Sequence, residues 1–438
     1  MQLASIPIPA IGRKGADVTA LEVDRAGHML YVADRTDGGV DVFDVSTPNA
    51  RYVTSVLTSA APNGVSAASD LKKVIAGLDN GHVAVIETDP ASSRADTVIE
   101  EIDTGSAQAA GRTEYDPADK KAYVVSPAGG LVTVIDLSSR KVLLHFEHLA
   151  KSLDQPRYNP GDGMMYVTSA EDNAIFQFDP SRTPDVMVRR FDVRDACNPK
   201  GMAIDPDTNQ ALLGCANPAQ PQHIVVWDLK SGSVLHTVTK TGGADGAMYA
   251  AAPDRFLVAA PSFFRGPHLA VFSGSPLGFV TNVPTVAGSG AVAYDELNNL
   301  VYMADTRPDQ GALLSFPLPG AFAQPATPTP TSTPTPRPTL PPVRATPKPQ
   351  PPTATPAPKP VATATPEPAT PTPAATATAA PPPPPPASAS AGASAQPSPA
   401  GTASPSPTAQ SSASASAKPS ASRGAGQVSP TATKAAGA

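Results

Sequence analysis

Short apolar runs recur along the first 320 residues with a period of about 45, parted by clusters of Asp, Asn, Gly and Pro. The stretch LYVADRTDGGVDVFDVS (30–46) has counterparts at 73–89, 122–138, 165–181, 212–230, 257–275 and 301–319. Each unit divides into four runs of four to seven apolar and β-branched residues, shown most plainly by GMAIDP (201–206), ALLGC (211–215), HIVVWDL (223–229) and SVLHTV (233–238). Such runs between tight turns predict a meander of four strands, A to D from the inside outwards. A unit of this size cannot bury enough surface to stand alone, so the sheets are expected to pack side by side as the blades of a ring.

The outermost strands count the blades. Strand D is expected at 51–57, 96–102, 141–147, 185–191, 233–239 and 278–284, while the seventh unit ends near Pro317 without one. The segment QLASIPIP (2–9) has the character of a D strand and precedes the first A strand. The expected fold is therefore all-β, a seven-bladed β-propeller over 1–320 closed by an N-terminal strand in its last blade.

LYVAD, AYVVS, MYVTS and VYMAD, each followed by an N/D/G-rich turn and a strand of the form V-x-V-[IF]-D, resemble the YVTN-type repeats of YncE-like and surface-layer β-propellers. The resemblance covers residues 2–320 and implies the architecture. That group includes binding and surface modules, so the implied role is non-enzymatic binding or display, and a fold does not carry its chemistry with it. The sixth unit departs from the pattern, with Ser273 where others have Asp or Glu and with an aromatic loop PSFFRGPH (261–268).

From residue 321 to 438 the composition changes to Pro, Thr, Ala and Ser, with six consecutive prolines at 381–386. Such a segment offers too little apolar surface to offset the entropy of ordering, and the expectation is a disordered tail acting as stalk or tether, with association to a cell wall or matrix as one use. Charge divides at the same place. The tail carries seven basic residues and one acid, leaving 25 basic against 37 acidic residues on the ring. A ring this acidic is a poor partner for nucleic acid.

No run is long enough for a membrane-spanning helix, and MQLASIPIPAIGRK lacks the features of a secretory signal. The acidic ring with a Pro/Thr/Ser stalk nevertheless suits an exported surface protein. An extracytoplasmic place is expected, with a leader omitted before Met1, and a monomeric state. Cys197 and Cys215 bear on this. In the fifth hairpin, residues pair when their numbers sum to about 415, which sets Cys197 opposite residue 218 on the same rim. A disulfide then requires the loop to fold inward, and two separate thiols are the alternative. The string CNPKGMAIDP…LLGC also resembles a paired-cysteine blade among YncE-like proteins.

Ligands of propellers collect where the D–A and B–C loops converge on one mouth of the channel. The residues just before each strand A are Asp17, Asn63, Arg112, Arg157, Lys200, Asp245 and Ser289, one per blade. Arg112, Arg157 and Lys200 come from successive blades, which predicts a cationic sector able to hold a small anionic ligand. The competing reading is that these polar residues serve loop backbone and water. The seven histidines are dispersed, with His148 alone in a D–A loop, and no metal set, Walker loop, G-x-S-x-G or dinucleotide motif is present. No cofactor is implied. Two functions remain: a non-enzymatic module binding a ligand or protein at the mouth, and a lactonase-like hydrolase that anchors an anionic substrate on the three cations.

Overall fold

A computed structural model describes residues 4–9, 16–182, 184–219, 221–307 and 311–319. The expected tail lies outside the described residues. The strands assemble into seven four-stranded antiparallel sheets, and among the described residues the only helical element is a single 3₁₀ turn at Ser69–Leu71. Blade 1 comprises Val18–Asp24, Met29–Asp34, Gly39–Asp44 and Arg51–Leu57 as strands A to D. In the other blades strand A is Pro62–Ala68, Thr113–Asp116, Leu153–Asn159, Pro199–Asp205, Ala247–Ala250 and Val292–Asp295. The seventh blade takes its outer strand from the other end of the chain: Ala4–Pro7 pairs antiparallel with Ala312–Pro317, Ser5 opposite Leu314.

Local chemistry sets the turns. At the end of strand A, the side chains of Asp24, Asp116, Asn159, Asp205 and Asp295 accept hydrogen bonds from the backbone N–H two residues on, at 2.9–3.0 Å. Asp44, Glu87, Asp136, Asp179 and Asp228 do the same after strand C. These Asx-type turns satisfy donors that a tight turn would otherwise orphan. Blade 6 lacks the carboxylate there, and Ser273 instead donates to the carbonyl of Pro276 at 2.7 Å.

Strands B and C are buried along most of their length, while the D strand Lys141–Phe146 alternates exposed and half-buried residues. Among the described residues seven apolar clusters form, one between each pair of neighbouring blades, and the one joining blades 1 and 7 includes Leu30, Phe43, Tyr302, Leu313 and Ile8 of the N-terminal segment. The core is thus a ring of interfaces rather than a centre, which leaves the axis free for polar side chains.

Among the described residues no helix is long and apolar enough to cross a membrane.

Candidate functional site

In six of the seven blades strand A enters its sheet through an irregularity. In blades 1, 2, 4 and 5 the register slips between Val18 and Ala20, Pro62 and Gly64, Leu153 and Pro156, and Pro199 and Met202. In blade 3, Gly111 and Arg112 share Val125 as hydrogen-bond partner, and in blade 6 Asp245 and Gly246 share Ala259. Each is a β-bulge, which bends the strand and re-aims the extra residue. Prolines at the first position of the A strands of blades 2 and 5 fit this, since the strand edge facing the channel needs no N–H there.

The re-aimed residues line one cavity of ≈570 Å³ at the mouth, to which all seven blades contribute. Of the expected positions, Asp17, Asn63, Arg112, Lys200 and Asp245 lie on its wall, joined by Asp154 and Asp79. Two do not. Arg157 is the fifth residue of its strand, deeper in the channel, because strand A of blade 4 begins at Leu153 and runs through Pro156. Ser289 is fully buried, its hydroxyl donating to the carbonyl of Ala304 at 2.6 Å, so it closes a loop instead of facing a ligand.

The expected cationic sector is replaced by pairs. Arg112 Nε lies 3.9 Å from Asp154 Oδ1, and Lys200 Nζ 3.7 Å from Asp245 Oδ1. On the other side Arg35 grips Asp79 with two hydrogen bonds of 2.9 Å, lies 3.3 Å from Asp17, and donates to Asn63. Asn63 in turn donates to Asp79 at 2.8 Å and to the carbonyl of Ala110 at 2.9 Å. Burial pushes Asp79 upward, but the hydrogen bonds from Asn63 and Arg35 outweigh it and hold this carboxyl below its ordinary range. Asp154 goes the other way: burial raises its pKa, Arg112 and Lys200 oppose the rise, and Asp245 adds to it. Arg35 and Asp79 follow strand B in blades 1 and 2, and reading the B–C loops alongside the strand A entrances would have found them.

Below the mouth, Arg157 reaches across to neighbouring blades. It donates to Glu114 at 2.7 Å and to the carbonyls of Met202 and Ala247 at 3.1 Å, bridging blades 3, 4, 5 and 6. Glu22 of blade 1 lies nearby, and Glu22 and Glu114 line a second cavity of ≈350 Å³ near the A–B turns. Burial, with the negative charge of Glu114 adding to it, pushes the Glu22 carboxyl up to about 8.

The sulfurs of Cys197 and Cys215 are joined, with Cα atoms 4.5 Å apart and both side chains buried. The blade 5 bulge sets Pro199 opposite Cys215, which draws Cys197 inward from the position that a regular register assigns. Among the described residues no group of three or more His, Cys, Asp or Glu is placed to hold a metal ion.

No family model matches the chain. No curated protein matches it either. Among solved structures, a chain from the crystal structure of a mitotic checkpoint complex superposes with a TM-score of 0.57 at 14% identity, covering 72% of this chain and 92% of that one. Matches extend to 1775 solved chains, and a likeness so widespread carries the propeller architecture alone.

Proposed function

We propose that the ring is a non-enzymatic binding module whose channel mouth takes a polar ligand or a segment of a partner protein. The observation that carries this reading is the single cavity lined by residues of all seven blades, with ion pairs of 3.7 and 3.9 Å across it. Pairs this long and partly solvated contribute little to the fold, so a ligand can exchange into them at low cost. Each cation on the wall stands beside a carboxylate, which favours a ligand offering both donors and acceptors over a purely anionic one. The structural neighbour belongs to a protein assembly, which accords with a propeller serving as an interaction surface.

The same proposal assigns the Pro/Thr/Ala/Ser-rich segment the role of a stalk and places the protein outside the cytoplasm. The buried Cys197–Cys215 disulfide supports that compartment, because such bonds persist in oxidising surroundings.

A hydrolase reading retains one specific support, namely Asp154, a carboxyl of raised pKa beside Arg112. One experiment separates the two. Amino acids, short peptides, sugars and simple lactones are screened against the protein by thermal shift and calorimetry, alongside Asp154→Asn and Lys200→Met. Saturable binding of an unchanged ligand, weakened in both variants, supports the module. Lactone turnover abolished in Asp154→Asn replaces it with the hydrolase, and a mouth that binds nothing from the panel in a variant-sensitive way removes the proposal.

A further inference from the structure

A third cavity, of ≈530 Å³, lies on the outer wall of the ring between the D strand of blade 4, Val186–Asp192, and the C–D turn of blade 5. Its lining includes Arg189, Arg190 and Arg194, with Phe191 and Trp227 as its apolar part and Asp192 as its one carboxylate. Charge here runs against that of the ring as a whole, which carries 37 acidic residues to 25 basic ones.

The guanidinium groups are prepared in different ways. Arg189 and Phe191 are two apart in a strand and so share a face; the Arg189 guanidinium stacks on the Phe191 ring at 4.4 Å. Among the described residues it reaches no carboxylate, and its hydrogen bonds are long ones of 3.5 Å to the carbonyls of Lys230 and Ser231. Arg190 is held by Asp192 at 2.9 Å and by Asp172 at 3.7 Å. Arg194 is exposed and has no acidic partner among the described residues. Two cations of the three are therefore uncompensated.

The wall opposite is shaped to keep the Phe191 platform in place. Gly232 sits in the turn at φ +66, and a Cβ there would lie 2.0 Å from the Phe191 ring, so the turn can close on the ring only with glycine. Stacking fixes the plane of the Arg189 guanidinium, its N–H edge makes only the two long bonds of 3.5 Å, and that planar fork matches two oxygens of a tetrahedral oxyanion. The cavity volume exceeds a lone ion and falls in the range of small-molecule sites.

We propose that this groove binds a molecule carrying phosphate- or sulfate-ester groups, through Arg189 and Arg194, independently of the channel mouth. Trp227 is the only tryptophan of the chain and lines the groove, so the intrinsic tryptophan emission has its source at this site. The test titrates the full chain at low salt with pyrophosphate and, separately, with a sulfated disaccharide, following Trp227 emission and heat of binding together. Saturable binding is expected for at least one probe, weaker as salt screens the charges. The probe that still binds at physiological ionic strength identifies the ester class.

Arg189→Gln and Arg194→Gln should each weaken binding roughly tenfold or more, the usual consequence of losing a charge-assisted hydrogen bond. Lys200→Gln at the mouth should leave it unchanged. Both arginines are exposed, so the variants should fold, and circular dichroism checks this. No heat of binding with either probe, or binding that survives both arginine substitutions, overturns the assignment.

Discussion

Arg157 and Glu114 meet across the channel at 2.7 Å, tying strand A of blade 4 to strand A of blade 3. The remaining Arg157 donors satisfy carbonyls on blades 5 and 6, so one side chain braces four blades from within. Replacing Arg157 with Leu strands the Glu114 carboxylate and two inner carbonyls. The expected loss is about 3 kcal/mol, and Arg157→Glu should cost more by setting like charges together. Urea unfolding measures it, and a loss under about 1 kcal/mol would show that channel water replaces the arginine freely.

Ring closure depends on the N-terminal strand. Deleting residues through Pro9 removes the ladder to Ala312–Pro317 and takes Ile8 out of the cluster between blades 1 and 7. A loss of several kcal/mol is expected, since an edge strand and a buried side chain go together. An unchanged melting temperature would mean that the seventh blade stands without its outer strand.

The disulfide closes a loop of sequence separation 18. Cys197→Ser combined with Cys215→Ser should lower stability by about 3 kcal/mol, the scale set by loop-closure entropy for a loop of this size. Calorimetry under oxidising conditions is the measurement. Because Lys200 follows shortly after Cys197 at the bulge, ligand binding at the mouth should weaken in the same variant, and wild-type affinity would argue that the bulge holds without the bond.

Two carboxyls of raised pKa, Asp41 buried and Glu22 half-buried, set an alkaline slope. Burial raises Asp41, on strand C of blade 1, to about 7, and Glu22 to about 8. A carboxyl whose folded pKa is raised stays protonated in the ring while the unfolded chain has already ionised. Its contribution to stability is complete below its unfolded value and is lost as pH rises through the folded value. Between about pH 4 and 8, stability of the wild type relative to Asp41→Asn and Glu22→Gln should therefore fall with rising pH. A difference on the order of 2 kcal/mol is expected at the alkaline end. Parallel melting curves for wild type and both variants across that range would contradict it.

The mouth was legible in outline. Asp17, Asn63, Arg112, Lys200 and Asp245 sit on the cavity wall as their place before strand A implies. Arg157 went astray because Pro156 reads as a loop residue, whereas a proline is tolerated in the innermost strand beside a bulge, and the strand begins three residues earlier at Leu153. Arg35 went unnoticed because it follows strand B and acts on Asn63 and Asp79, residues 28 and 44 positions away in the next blade.

Strand, turn and blade number were written locally: alternating apolar residues within each run, and Asp or Asn side chains bonding a backbone N–H two residues on, are decided within a few positions of chain. Whether a cation at the mouth is free or paired depends on which carboxylate the neighbouring blade brings to it, as Asp154 does for Arg112 and Asp245 for Lys200. That choice belongs to the tertiary structure, because bulges aim the side chains and closure of the ring sets the distances between blades. Electrostatic partnership falls off with distance in space, and distance along the chain does not report it.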